Sequence, residues 1–216
     1  MHTRDHLMLS WKEQGVDSRL LAAFQAIPRE SFVNPGLVHH AYDDRPLPTL
    51  RGQSISQPST VMVMLQALDV QPGQVVYEIG SGVGYQACLL AKLVGTEGKV
   101  ITTEIIPELV QAAREQVRSL GFKNVLVMEK DGSRGVEEEA PFDRVVITAA
   151  CPQIPSQVLQ QTKEGGIIVA PVGDLQEQTL VRAVKNGERL EIEFLGSFVF
   201  VPLQGKYGFE KELNAR

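Results

Sequence analysis

An apolar run, Val75-Val76-Tyr77-Glu78-Ile79, opens onto Gly80-Ser81-Gly82-Val83-Gly84-Tyr85, and no other feature narrows the possible folds of this chain as far. A buried strand that ends in alternating glycines and runs on into a helix is a ligand-cradling turn. Glycine has no Cβ, so it reaches φ > 0 without strain and lets a ligand come close to the backbone. The following helix aims its N-terminal N–H groups at the same spot. Spacing then narrows the ligand. A dinucleotide fingerprint needs G-x-G-x-x-G, whereas here the third glycine arrives one residue early, at Gly84, with Tyr85 in the expected place. That disfavours NAD, and with it a nicotinamide-dependent oxidoreductase.

The next strand is read over 99–104, and its last residue, Glu104, falls 20 residues after Gly84. In an open parallel sheet the second strand lies beside the first, so an acid at its C-terminal end can accept both ribose hydroxyl protons. A third apolar run, 124–128, leads to Asp131-Gly132 and brings another carboxylate to the same edge. Three successive strand ends that carry polar groups to one crevice fit S-adenosylmethionine. Its ribose and adenine need hydrogen bonds, its methionine end needs close backbone contact, and it has no pyrophosphate to cradle.

With 216 residues, 43% hydrophobic and 22% charged, the chain is long enough for one well-buried core and too short for two comfortable α/β domains. The expectation is one domain over 1–216: a helical N-terminal extension with a loop to about residue 70, then a Rossmann-like core over about 71–205. A net charge of −5 lacks the basic footprint usual for nucleic-acid binding. No apolar run approaches the roughly 20 residues that span a bilayer, and Met1-His2-Thr3-Arg4-Asp5-His6 has no apolar signal core. A soluble, cytoplasmic protein is expected, with no nucleic-acid or membrane partner. Cys88 and Cys151 stand far apart and make no disulfide or metal framework; two reduced core thiols are expected.

Along the chain, Asp17-Ser18 can cap a helix with Leu20, Leu21, Phe24 and Ile27 on one face, stopped by Pro28. The turn-rich stretch 42–52 reads as a long loop of the kind that is usually functional or disordered. A helix follows from Pro58 to Leu68. Then come strand 75–79, helix 85–94, strand 99–104, helix 107–120, strand 124–128, strand 143–148, a helix near 155–163 and strand 166–171. Strand–helix alternation at this spacing predicts an α/β fold with a doubly wound parallel sheet and helices on both faces. The tail from 178 to 203 alternates polar and apolar residues over two runs, as an antiparallel edge does.

Outside the glycine turn, Gly52-Gln53-Ser54-Ile55-Ser56-Gln57-Pro58 resembles the G-Q-[TS]-I-S-Q-P signature of protein-L-isoaspartate O-methyltransferases. Pro28-Arg29-Glu30, Ala41-Tyr42-Asp43, Gly84-Tyr85-Gln86, Ala140-Pro141-Phe142-Asp143, Thr148-Ala149-Ala150, Pro171-Val172-Gly173 and Phe200-Val201-Pro202-Leu203 resemble further family positions, in family order. The likeness covers roughly 20–205. It implies the Rossmann-like class I fold and methyl transfer from S-adenosylmethionine to the free α-carboxylate of L-isoaspartyl residues in damaged proteins and peptides. The ester closes to a succinimide that reopens partly to aspartate, S-adenosylhomocysteine is the other product, no metal is needed, and a monomer is expected.

The resemblance also implies site roles. Ser56 would orient the acceptor carboxylate as a hydrogen-bond donor. Ile55 and Ser56 would close over the cofactor, whose methionine end meets Gly80, Ser81, Gly82 and Tyr85. Glu104 would take the ribose hydroxyls, and Ile105, Asp131 and Gly132 would surround the adenine. Phe200, Val201 and Pro202 would hold the acceptor peptide extended. Val83, Lys130, Ile106 and Ser59-Thr60 depart from the usual family residues. From the residues alone, Ser56 could be a turn former or helix cap, Asp131 could be turn chemistry, and His39-His40 and Glu137-Glu138-Glu139 read as solvated surface.

Overall fold

The computed structural model describes residues 3–187 and 189–209. The first helix, α1 (Arg4–Glu13), starts at Thr3, whose side-chain oxygen accepts the His6 N–H. In α2 (Ser18–Ala26) the expected cap, Asp17, accepts the Arg19 N–H, and the helix ends before Pro28. Two 3-10 turns follow, Arg29–Phe32 and Pro35–His40. Residues 42–52 are more ordered than a loop. There β1 (Leu47–Pro48) pairs antiparallel with β2 (Ser54–Ile55), and Arg51 and Gly52 reverse the chain between them at φ of 55° and 72°. This hairpin is secured from far along the chain by an ion pair between Arg51 and Glu108, so local sequence could not announce it.

Pro58 occupies the first turn of α3 (Pro58–Leu68), where its missing N–H costs nothing. The alternating part then runs β3 (Val75–Ile79), α4 (Tyr85–Val94), β4 (Lys99–Glu104), α5 (Pro107–Ser119), β5 (Val125–Glu129), β6 (Phe142–Ile147), α6 (Ser156–Gln160), β7 (Thr162–Gly173), β8 (Gln178–Asn186) and β9 (Arg189–Phe198). These last seven strands form one sheet in the order β5-β4-β3-β6-β7-β8-β9. Its first five members are parallel, and β8 and β9 add the expected antiparallel edge. One boundary moves substantially. The helix expected near 155–163 stops at Gln160, because the Thr162 hydroxyl donates to the Val158 carbonyl and Lys185 Nζ takes the carbonyls of Leu159 and Thr162. That releases Thr162 to pair with Phe142 across a register shift, so β7 starts four residues before Gly166.

Side chains alternate across the sheet, as strand geometry requires. From β3, Val76 enters the core beneath α3, α4 and α5, while Tyr77 and Ile79 enter the core on the other face. The first face carries most of the helix, with α1 and α2 stacked outside through Trp11 and Phe24, edge-to-face at 4.8 Å. The second is covered by short α6 and by turns bearing Val136 and Leu203, with Tyr77 and Phe142 rings stacked at 4.8 Å. Both faces are covered, but unequally.

Candidate active site

From β3 the chain goes out to β4 and β5 on one side and returns to β6 on the other, so the C-terminal end of β3 is the topological switch point where open α/β sheets bind ligands. Backbone bonds join the strand ends there into one rim. The N–H groups of Gly80 and Ser81 both donate to the Thr103 carbonyl at 2.9 and 3.0 Å, Thr148 N–H to Ile79, and Lys130 N–H to Glu104. Above the rim lies a cleft with about 860 Å³ of empty space, its open mouth included.

Two glycines show why the turn needs them. Gly80 (φ 93°) leaves room for the Thr148 hydroxyl, which would lie 2.5 Å from a Cβ and donates to the Gly80 carbonyl at 2.6 Å. Gly84 (φ 89°) lets α4 close on α5, where a Cβ would lie 3.1 Å from the Cα of Ala113. Between them, the Gly82 N–H donates to Glu104 Oε2 at 3.0 Å, while Oε1 of the same carboxylate accepts the N–H groups of Ile105 and Ile106 at 2.8 and 3.0 Å. Burial pushes the Glu104 pKa up, against the pull of these three N–H groups, and it stays above the ordinary carboxylate value.

Deeper in the cleft, Glu78 is fully buried. One carboxyl oxygen accepts the Thr102 hydroxyl at 2.6 Å and the other has no partner among the described residues. Burial pushes its pKa up to about 8, so it is a neutral acid at pH 7. Ser81 Oγ, Tyr85 Oη and Gln86 Nε2 are likewise buried without partners, and all four residues line the cleft. Arg29 Nη1 and Nη2 are also buried without partners, on a residue that does not line the cleft; buried polar groups are normally paired, and the four orphans on cleft-lining residues indicate a polar ligand that pairs them. The set mixes donors and acceptors and adds the Glu104 carboxylate. It fits a nucleoside bearing an amino-acid tail.

Of the residues predicted from sequence, Ile55, Ser56, Gly80, Ser81, Gly82, Tyr85, Glu104, Ile105 and Gly132 line this cleft together with Val201 and Pro202. Phe200 lines an adjoining outer groove instead. Asp131 lines neither; the structure gives it another task. Its Oδ1 accepts the N–H and hydroxyl of Ser133, and its Oδ2 accepts the Lys206 N–H at 2.8 Å, so the carboxylate bolts the chain after β5 to the C-terminal segment. Gly132 is held by the Tyr77 hydroxyl, which donates to its carbonyl at 2.9 Å. Among the surface readings, His39 is exposed and His40 pairs with Asp43, while Glu138 and Glu139 pair with Lys130 and Lys99.

Thr148, Glu78 and Gln86 also line the cleft, and although the motif strings pass through Thr148 and Gln86, the sequence assigned none of the three a site role. Thr148 ends the 143–147 run at the same sheet edge as Glu104, so the strand-end argument would have found it. Glu78 and Gln86 carried no such signal, because an acid inside an apolar run and an amide on a helix reveal their direction only once packed.

A crevice built this way, on this sheet, belongs to a class I S-adenosylmethionine-dependent methyltransferase. Residues 2–208 match the family model described as Protein-L-isoaspartate(D-aspartate) O-methyltransferase, and the chain belongs to that family. A relative from Methanoculleus marisnigri named protein-L-isoaspartate O-methyltransferase is 44% identical over 198 residues, 92% of this chain and 89% of its own. One of the same name from Methanococcoides burtonii is 43% identical over 199 residues, covering 92% and 98%. Among solved structures, a protein-L-isoaspartate O-methyltransferase at 29% identity superposes with a TM-score of 0.87 over 95% of this chain and 67% of its own. A Plasmodium falciparum chain solved in complex with S-adenosyl-L-homocysteine shares the fold at 21% identity, TM-score 0.81, covering 94% and 99%.

Proposed function

We propose that this chain methylates the free α-carboxylate of L-isoaspartyl residues at the junction of two clefts, with Ser56 orienting the acceptor oxygen. The observation that carries this reading is where Ser56 lies. It is half-buried, it lines both the cofactor cleft and the outer groove, and its hydroxyl has no partner among the described residues. Ser54, Thr148 and Val201 share the junction with it.

Glu104 would take the ribose hydroxyls. Ser81, Gln86, Tyr85 and Glu78 would meet the amino-acid tail, Ile105 and Gly132 would flank the adenine, and Ile55 would close over them. Bound there, S-adenosylmethionine supplies an electrophilic sulfonium methyl group. No general base is needed to prepare the acceptor, because a peptide carboxylate with a pKa of about 3.5–4 is already ionised at neutral pH. What remains is positioning, which can contribute several kcal/mol. A neutral hydroxyl suits that task; a cationic clamp would stabilise the carboxylate and blunt its attack. Among the described residues that line the outer groove, none is Lys, Arg or His. Phe200, Val201 and Pro202 would hold the peptide extended by its main chain, so that many flanking sequences are accepted.

The test is transfer of labelled methyl to matched isoaspartyl and aspartyl peptides, with Ser56→Ala alongside. Label should enter the isoaspartyl peptide alone. The variant's kcat should fall about 10- to 100-fold, the scale of losing one hydrogen bond to a charged group, with affinity for S-adenosylhomocysteine held within a few-fold. Equal labelling of both peptides, or a full rate in the variant, would overturn the proposal.

A further inference from the structure

The outer groove has two walls that are distant in sequence. One is the turn between β7 and β8, with Asp174, Gln176 and Glu177; the other is the strip that runs from Phe198, the last residue of β9, through Val199 and Phe200 to Val201. Among the described residues, a single side chain hydrogen-bonds to both. Gln178 is 1% exposed, its Oε1 accepts the Phe200 N–H at 2.8 Å, and its Nε2 donates to the Asp174 carbonyl at 2.6 Å. Its backbone pairs at the same level with Gly173 at the end of β7 and with Phe198 at the end of β9.

We infer that Gln178 is a positioning residue for the acceptor peptide, fixing the spacing of the groove's two walls and the register of the strip at Phe200 and Val201. The inference rests on the reading of that strip as the acceptor site. An amide suits the task, since it offers a neutral acceptor and a neutral donor on one planar group, and Gln reaches further than Asn. Backbone pairing holds the ends of both walls, Gly173 and Gln178 for the turn and Phe198 and Val201 for the strip, and leaves the residues between them to side-chain contacts. Asp174 Oδ1 accepts the N–H groups of Gln176 and Glu177, which shapes the turn without reaching the strip. Val201 O accepts the Ala150 N–H and Leu203 N–H donates to Ala150 O, which hold the strip only beyond Phe200. Without Gln178, the part-buried Phe200 N–H would lose its partner, and the strip could shift at Val199 and Phe200, between its backbone anchors, relative to Ser56.

The experiment measures steady-state methylation of an isoaspartyl peptide by Gln178→Met, which keeps length without the amide, and by Gln178→Glu, which keeps the acceptor for Phe200 but loses the donor to Asp174. Phe200→Ala serves as a control on the strip itself. Expected for Gln178→Met is a KM for peptide raised at least about fivefold, on the order of one or two lost hydrogen bonds. Its kcat at saturating peptide and its affinity for S-adenosylhomocysteine should stay within twofold, and Gln178→Glu, whose second oxygen would face the Asp174 carbonyl, should raise KM at least as far. If Gln178→Met does not fold, Gln178→Glu carries the same test with a raised KM. An unchanged KM in the Gln178 variants while Phe200→Ala raises it overturns the role of Gln178 alone. No change in any of the three overturns the strip reading and the inference with it. Parallel loss of kcat, cofactor affinity and KM would make Gln178 a general structural residue and reject the positioning role.

Discussion

Glu104 Oε2 accepts the Gly82 N–H at 3.0 Å, so the acid that ends β4 is bolted to the glycine turn that ends β3. Its other oxygen collects Ile105 and Ile106 N–H, which makes one carboxylate the common fastening of two cofactor loops. Replacement by Gln turns an acceptor-only group into one with two donors, and at least one backbone N–H then faces an N–H. Hydrogen bonds to charged groups are worth about 1.5–3 kcal/mol. Glu104→Gln should therefore weaken S-adenosylhomocysteine binding roughly 10- to 100-fold by calorimetry. An affinity within twofold of wild type would exclude this role.

Glu78 predicts a pH dependence of stability. Its folded pKa, about 8, lies above the ordinary value of 4.5, because burial disfavours the anion. Between those pH values the folded protein holds a proton that the unfolded chain has lost, so stability is fully present below about pH 4.5 and declines as pH rises through 8. The melting temperature of the ligand-free protein should fall across pH 5–8 more steeply in wild type than in Glu78→Gln. Parallel profiles for the two proteins would contradict this assignment.

Arg51 and Glu108 form an ion pair between the β1–β2 turn and the first turn of α5. Beside the one, Gln53, Ser54 and Ile55 line the cofactor cleft; beside the other, Ile105, Ile106 and Leu109 do. The pair therefore ties two parts of the cleft wall together. Both side chains are exposed, so its strength is small and salt-sensitive. Arg51→Ala should speed S-adenosylhomocysteine release about two- to fivefold at low salt in stopped-flow measurements. The difference should vanish near 1 M salt; one that survives there would point to another cause.

Both thiols should be inert in the native state. Cys88 and Cys151 are wholly buried, and burial pushes each pKa up to about 12, far from the thiolate that reacts. An aromatic disulfide reagent at pH 8 should titrate neither cysteine in folded protein and both after denaturation. Rapid reaction of either in the native protein would show that its segment opens.

The elements that the sequence discloses are those whose cause is local. Strand 75–79, helix 85–94 and strand 99–104 appear where periodicity, glycines and flanking turns put them. Thr162 shows the limit: its hydroxyl and Lys185 together cap α6 early, and the lysine comes from β8, 23 residues away. The site divides the same way. Gly80, Gly82 and Glu104 were legible because strand ends of a parallel sheet must meet at one edge. The turn chemistry at Asp131-Gly132 was legible too, but not that the carboxylate would be taken by Ser133 and Lys206.

By itself the sequence determined the kind of sheet, the place of its switch point, a cofactor turn unsuited to a dinucleotide, and, through its motif order, the family. These follow from backbone preference and hydrophobic period, which act over about ten residues. Only the tertiary structure decided which polar atoms remain buried without partners, that Ser56 stands where two clefts meet, and that Gln178 spans the outer groove. Partners in those relationships lie tens of residues apart, and their pairing depends on which surfaces pack against each other and exclude water.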